Sequence, residues 1–119
     1  MTKILTGGVA KSEVASAVAG LGLPGVEVLV SNDMDAAVQL RAGQADYFLG
    51  TCQTGAGASL GVLVGLLGSA ACHTFGRSVP TAEQIEALLG EGKKVFGFAV
   101  DRVEAVVPAL AQAIAVRTA

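Results

Sequence analysis

The stretch Ala45-Asp46-Tyr47-Phe48-Leu49-Gly50-Thr51-Cys52-Gln53-Thr54-Gly55-Ala56-Gly57-Ala58-Ser59 passes from an apolar run into a glycine-rich turn, then into an uncharged segment reaching Gly68. Ala45 to Gly50 reads as a short buried strand, and the segment after Thr54 as an almost wholly apolar helix ending near Gly68. Strand, glycine loop and helix in that order make half of a β-α-β unit. Such units build parallel sheets, which need helices over both faces.

The same alternation continues in both directions. Upstream, Lys3 to Thr6 is a strand ending at Gly7-Gly8, and Ser12 to Leu21 is a helix with Val14, Ala17, Val18 and Leu21 on one stripe. Gly20, Gly22 and Pro24 stop it, Val26 to Val30 is a β-branched strand, and Asn32 is a suitable N-cap for a helix carrying Met34, Ala37, Val38 and Leu40, ended by Gly43. Downstream, Ala70 to Phe75 is a fourth strand. Thr81 with Gln84 makes a capping box for a helix over Ala82 to Leu89, just after Pro80. Val95 to Val100 is the fifth strand. The last helix holds Val103, Val106, Val107, Leu110 and Ile114, and Pro108 either kinks it or marks its first turn.

Five β-α units predict a single α/β domain over residues 1–119. Its class is a three-layer doubly wound fold, Rossmann-like or flavodoxin-like, with a five-stranded, mainly parallel sheet. Right-handed crossovers favour the strand order 2-1-3-4-5, with a Rossmann-like variant as the alternative.

Composition narrows the function classes. With 119 residues and 52% hydrophobic content, the chain can bury a core without disulfides or a structural metal. A net charge of -2 and 4% aromatic residues provide neither an electrostatic footprint nor a stacking surface for nucleic acid. One histidine, His73, and two cysteines, Cys52 and Cys72, are too few for a multi-histidine or structural zinc centre, so no metal or other cofactor is expected. The mean hydropathy is high, +0.61. The uncharged stretch between Asp46 and Arg77 is nevertheless broken by glycines, Thr51, Gln53, Thr54 and Ser59, which favours a buried helix and strand over membrane insertion. With no secretory signal in Met1 to Ala10, a cytoplasmic location is the expectation.

Doubly wound sheets bind ligands outside the carboxyl ends of their strands. That edge is predicted to present Gly7-Gly8, Ser31-Asn32-Asp33, Thr51 to Gly57, His73 to Ser78 and Asp101-Arg102. The glycine loop is its most informative part. Gly55 and Gly57 leave the backbone open, and the amides of Gly55, Ala56, Gly57 and Ala58 become unpaired first-turn donors suited to phosphate, sulfate or carboxylate. The competing reading is tight packing, because Gly57, Gly61 and Gly65 share a helix face that would lie close to the sheet or to a second subunit. The loop is neither a dinucleotide fingerprint nor a Walker motif, since the first strand-helix turn has only Gly7-Gly8 and no Walker lysine follows.

Cys52 lies where a helix N-terminus lowers a thiol pKa. With His73 emerging from a neighbouring strand at the same edge, the two form a candidate thiolate-imidazole pair. The alternative makes both cysteines small buried residues. Arg77 and Arg102 follow strands four and five and are candidate anion clamps, or ordinary loop arginines. Asn32 and Asp33 are candidates for ligand contact or for helix capping. A redox pair of Cys52 and Cys72 would require disulfide distance across adjacent strands.

Two resemblances follow from these residues. Asn32-Asp33-Met34-Asp35-Ala36-Ala37, Gly43-Gln44-Ala45-Asp46-Tyr47, Thr51 to Ser59 and Phe96-Gly97-Phe98-Ala99-Val100 together resemble the YhfU-like bacterial family of unknown function, over nearly the whole chain. That resemblance implies a fold and no reaction. Locally, Cys52-Gln53-Thr54-Gly55-Ala56-Gly57-Ala58-Ser59, then Gly68-Ser69-Ala70-Ala71-Cys72, is similar to the Cys-Gly-Thr-Gly-x-Gly-x-Ser loop of B-type ribose-5-phosphate isomerases and galactose-6-phosphate isomerases. This second resemblance implies Cys52 as the base moving a proton beside a carbonyl, Thr54, Gly55 and Gly57 as an oxyanion cradle, and Ser59 as its support. Gln53 replaces the first glycine of that pattern, and Gly7-Gly8 stands where the isomerases offer an aspartate-histidine pair.

The expected function is binding of a small anionic metabolite, such as a sugar phosphate, with isomerase-type proton transfer by Cys52. The expected ligand contacts are Gly8, Asn32, Asp33, Thr51, Thr54, Gly55, Ala56, Gly57, Ser59, Arg77 and Arg102. The alternative is a non-catalytic effector-binding or accessory subunit that forms a homo-oligomer through the glycine-rich third helix.

Overall fold

The computed structural model describes residues Met1–Gln53 and Leu60–Thr118. In chain order these form β1 (Thr2–Gly8), α1 (Lys11–Gly20), β2 (Val26–Val30), α2 (Asp33–Arg41), β3 (Tyr47–Cys52), α3 (Gly61–Leu67), β4 (Cys72–Thr74), α4 (Ala82–Gly90), β5 (Val95–Ala99) and α5 (Val103–Thr118). Tight 3₁₀ turns at Ser69–Ala71 and Val100–Arg102 lead into β4 and α5. Local chemistry sets several helix starts as expected. The Asn32 side chain accepts the Asp35 amide at 2.9 Å, and Thr81 and Gln84 form a reciprocal capping box. Pro108 lies inside α5 rather than in its first turn.

All strand pairings are parallel, and the five-stranded sheet has the order β2-β1-β3-β5-β4. Helices α1, α4 and α5 pack together on one face, and α2 and α3 on the other. This distribution is what right-handed crossovers impose on that order. Alternating strand residues feed two cores. Ile4, Leu49, Phe96 and Phe98 meet Val14, Val18, Ile85 and Leu110 on the first face. Leu5, Phe48 and Val95 meet Ala36, Ala37, Leu40 and Leu63 on the second. Phe48, Phe96 and Phe98 are fully buried, and burial of side chains of this size stabilises by roughly 1.5–3 kcal/mol each. Among the described residues, no helix is long and apolar enough to cross a membrane.

The doubly wound three-layer class is as expected, but the order of the last two strands is not. The expected 2-1-3-4-5 arrangement is replaced by one in which β5 inserts between β3 and β4. The reason is burial. All five residues of β5 are buried, whereas β4 has three residues, Cys72-His73-Thr74, none of them buried. A short polar strand is tolerated at a sheet edge, where one side faces water, and a continuous apolar one is stabilised inside. The fourth strand is correspondingly shorter than the expected Ala70 to Phe75. The third is shifted to Tyr47–Cys52, so Thr51 and Cys52 belong to the strand and not to the loop after it.

The packing expected of the glycine-rich helix also differs. A side chain added at Gly61 or Gly65 would meet nothing within 4 Å among the described residues, the whole sheet included, so these glycines do not bring α3 close to the sheet. They face outward beside the exposed side chains of Val62, Val64 and Leu66.

Candidate functional site

The chain leaves β1 towards β2 on one side and returns to β3 on the other, so β1 and β3 meet at the switch point of the sheet. Ligand crevices of doubly wound folds open there, at the carboxyl ends of the strands. Gly7 is level with Gly50, and Gly8 with Thr51. Gly8 has a φ of +88°, and a Cβ built there would land on the Thr51 carbonyl oxygen. Only glycine fits this position.

Thr51 is the residue around which the β1–α1 turn closes. It is fully buried. Its hydroxyl accepts the Ala10 amide at 2.8 Å and donates to the Gly7 carbonyl at 3.4 Å, while the Val9 amide donates to the Thr51 carbonyl at 3.1 Å. Thr51, expected among the ligand contacts, is therefore committed to internal bonds and acts by positioning the turn. On the same turn, the Thr6 hydroxyl donates to the Lys11 carbonyl at 2.8 Å. No side chain caps α1, whose N-cap residue is Ala10. The first-turn amides of a helix have no partner within it.

Asn32 and Asp33 border β1 from the other side. Asn32 is exposed and spends its carbonyl oxygen on capping α2. Asp33 is half-buried and leans over Gly7, where a Cβ would sit 3.3 Å from its Oδ1 and 2.6 Å from the Phe48 ring. Burial pushes the Asp33 carboxyl above its ordinary pKa, and the Lys11 charge partly offsets this. The expected contacts Thr54, Gly55, Ala56, Gly57 and Ser59 lie outside the described residues, in the segment that follows β3.

Lys11 is the first residue of α1, where the helix dipole disfavours a cation.

The inserted β5 also divides the expected catalytic pair. His73 is level with Phe96, which is level with Leu49, three residues before Cys52. With strands about 4.8 Å apart and a rise of about 3.3 Å per residue, Cys52 and His73 are roughly 14 Å apart along the backbone framework. They also project to opposite faces, His73 with Phe96 and Cys52 with Ala99. The structure does not bring them together as a thiolate-imidazole pair. Cys72 is level with Phe48, two strands and four residues from Cys52, roughly 16 Å away and beyond disulfide reach.

His73 instead lines a separate pocket of about 390 Å³ beside α4, with Phe75, Ser78 and Glu91. Its ring packs edge-on against Phe75 at 4.8 Å, and Phe75 stacks on Phe96 at 5.9 Å. Burial, aided by the Lys93 charge and opposed by Glu91, pushes its pKa below the ordinary value. Burial likewise raises the Cys72 thiol, against Lys93. Arg77 and Arg102 come together over the ends of β4 and β5, but as loop braces. Arg102 Nε donates to the Arg77 carbonyl at 2.8 Å, and Arg77 pairs with Asp101 at 3.5 Å on the surface. Among the described residues, no three of His, Cys, Asp and Glu gather where they could hold a metal ion.

A groove of about 900 Å³ separates α1 from the start of α5, lined in part by Ser12, Glu13, Ser16, Asp101 and Glu104. It borders the crevice at Ala10. Its carboxylates sit in the first turns of their helices, the placement that helix dipoles favour without any ligand.

No solved structure matches this chain. The Uncharacterized protein YhfU of Escherichia coli (strain K12) is 34% identical over 112 residues, covering 92% of this chain and 96% of the relative. Proteins of the same name from Escherichia coli O6:H1 and Shigella flexneri match with the same identity and coverage. The family pattern described as "Protein of unknown function DUF2620" matches residues 2–114, and the chain belongs to that family.

Proposed function

We propose that the chain binds a small anionic metabolite in the crevice between the carboxyl ends of β1 and β3. The observation that carries this reading is the close approach of Gly8 to Thr51, which holds the β1–α1 turn directly against β3, the strand that precedes residues 54–59. The start of α1, which no side chain caps, supplies backbone donors of the kind that bind anions. Cys52, at the end of β3, is the residue that would move a proton if the ligand is a hydroxy-carbonyl compound.

A thermal-shift screen against phosphate, sulfate, sugar phosphates and small carboxylates tests the reading, repeated with Gly57→Val. A ligand at 100 times its dissociation constant adds about 2.7 kcal/mol to apparent stability. Stabilisation of the wild type but not of Gly57→Val supports the site, and no stabilisation by any anion removes it. A sugar phosphate that binds is then assayed for isomerisation with Cys52→Ser. Loss of turnover with binding retained assigns Cys52 as the base.

A second reading is favoured by the outer face of α2 and α3. Met34 and Val38 on α2 and Val62, Val64 and Leu66 on α3 are exposed, and the two helices pack side by side. Exposed apolar side chains grouped in this way mark contact surfaces. We infer self-association through this face, with Gly61 and Gly65 permitting close approach of a second helix. Sedimentation of wild type and Leu66→Glu tests it: a wild-type dimer dissociated by the charge is expected, and a monomeric wild type removes the reading.

A further inference from the structure

The two edges of the sheet are built differently. β4 forms one edge with three residues, Cys72-His73-Thr74, and is short and polar. β2 forms the other with Val26-Glu27-Val28-Leu29-Val30, a β-branched run without proline or lysine and in unbroken register with β1. Shortness, lysine, proline and bulges are the devices that keep natural edges from pairing with another chain, and β2 has none of them. Leu29 and Val30 remain 43% and 49% exposed. The register with β1 fixes where the backbone groups of β2 point. The Ser31 amide donates to the Thr6 carbonyl at 2.7 Å, and the Thr2 amide to the Gly25 carbonyl at 2.8 Å. By the alternation of a parallel ladder, Glu27 and Leu29 also bond to β1, while Val28 and Val30 direct their N–H and C=O groups to the open side.

We propose that β2 is a self-pairing edge, which takes a second copy of this chain antiparallel to it about a two-fold axis at Leu29. This surface is separate from the anion crevice and from the outer face of α2 and α3, and the inference depends on neither reading. At this register Val28 of each copy lies opposite Val30 of the other, and each such pair exchanges two N–H···O=C bonds. Every outward backbone group of Val28 and Val30 then has a partner. Leu29 is level with Leu5 and so lies on the sheet face that carries α2 and α3. There it meets its own counterpart as a non-hydrogen-bonded pair, in which cross-strand side chains come closest. Charge selects the same register. Glu27, the one charged residue of β2, comes opposite Ser31 of the second copy and not opposite another carboxylate. Centring the axis on Val28 would set the Glu27 carboxylate against Leu29. The strand is thus its own complement, and pairing extends each five-stranded sheet into one continuous sheet through an isologous contact.

Sedimentation velocity of wild type, Leu29→Lys and Leu66→Glu over a dilution series tests this, with circular dichroism melts to confirm that the variants fold. A five-residue edge is small beside the roughly 1,600 Å² of a standard interface, so the wild-type dimer is expected to dissociate on dilution. Leu29→Lys sets two like charges face to face and is expected to raise the dissociation constant about tenfold or more, with Leu66→Glu unchanged. Leu29→Cys reads the register. The Cα atoms of a non-hydrogen-bonded pair lie about 4.5 Å apart, within disulfide reach, so mild oxidation is expected to link two copies through position 29, as peptide mapping would show. Glu27→Cys, opposite Ser31 and not its own counterpart, is expected to give no such link. A monomeric wild type, a dimer undiminished by Leu29→Lys, or a Leu29→Cys variant that links no faster than Glu27→Cys overturns the inference. A dimer lost in Leu66→Glu and kept in Leu29→Lys also overturns it, and moves the contact to the outer face of α2 and α3.

Discussion

The hydroxyl oxygen of Thr51 lies 2.8 Å from the backbone nitrogen of Ala10, 41 positions earlier in the chain, and both groups are buried. One side chain thus joins the penultimate residue of β3 to the N-cap of α1, at the switch point where the chain connections diverge from β1 and β3. Thr51→Val keeps the shape but leaves the Ala10 amide without its acceptor. The expected cost is about 1–3 kcal/mol, the penalty for an unsatisfied buried donor. Urea denaturation of Thr51→Val and Thr51→Ser checks it: serine should retain most of the stability, and equal losses in both would point to packing instead.

Glycines with and without room for a side chain should respond in opposite directions. Gly8→Ala combines a positive φ with a collision against the Thr51 backbone. A loss of about 3 kcal/mol or more, or failure to fold, is expected. Gly65→Ala has open space around it and replaces a poor helix former, so a gain of up to about 1 kcal/mol is expected. Thermal melts of both variants decide the matter.

His73 should make stability depend on pH. Its folded pKa lies below the ordinary value of 6.5, chiefly because burial disfavours the imidazolium. The unfolded chain therefore binds more protons than the folded one between the folded pKa and about 6.5, and stability falls as pH drops through that window. His73→Gln should lack this component of the slope. Parallel stability curves for the two proteins between pH 7.5 and 5 would contradict the assignment.

Mild oxidation should leave Cys52 and Cys72 unbridged within one chain. The strand register places them roughly 16 Å apart, against the 4.4–6.8 Å that a disulfide tolerates. Peptide mapping after diamide treatment reads this directly. Rapid formation of an intramolecular bridge would require the sheet order to be different.

The local sequence determined the elements and their faces. Val26–Val30 is found with the expected bounds, the Thr81–Gln84 box starts α4, and Asn32 caps α2. These features rest on interactions within a few residues, so periodicity and capping chemistry reveal them. The glycines and Thr51 at the end of β1 and β3 were also visible as a candidate ligand edge, but not the internal role of Thr51, which depends on a partner far away in sequence. Asp33 was legible as a candidate from its place beside the Asn32 cap.

Only the tertiary structure decided which strands are neighbours. Strand order is a matter of non-local hydrogen bonding, and no local period encodes it. The clue lay in a comparison of two segments, the wholly buried Val95–Ala99 and the short, polar Cys72–Thr74. Burying the first inside the sheet gains more from removal of apolar surface than burying the second, which leaves β4 at the edge. That single choice separates Cys52 from His73.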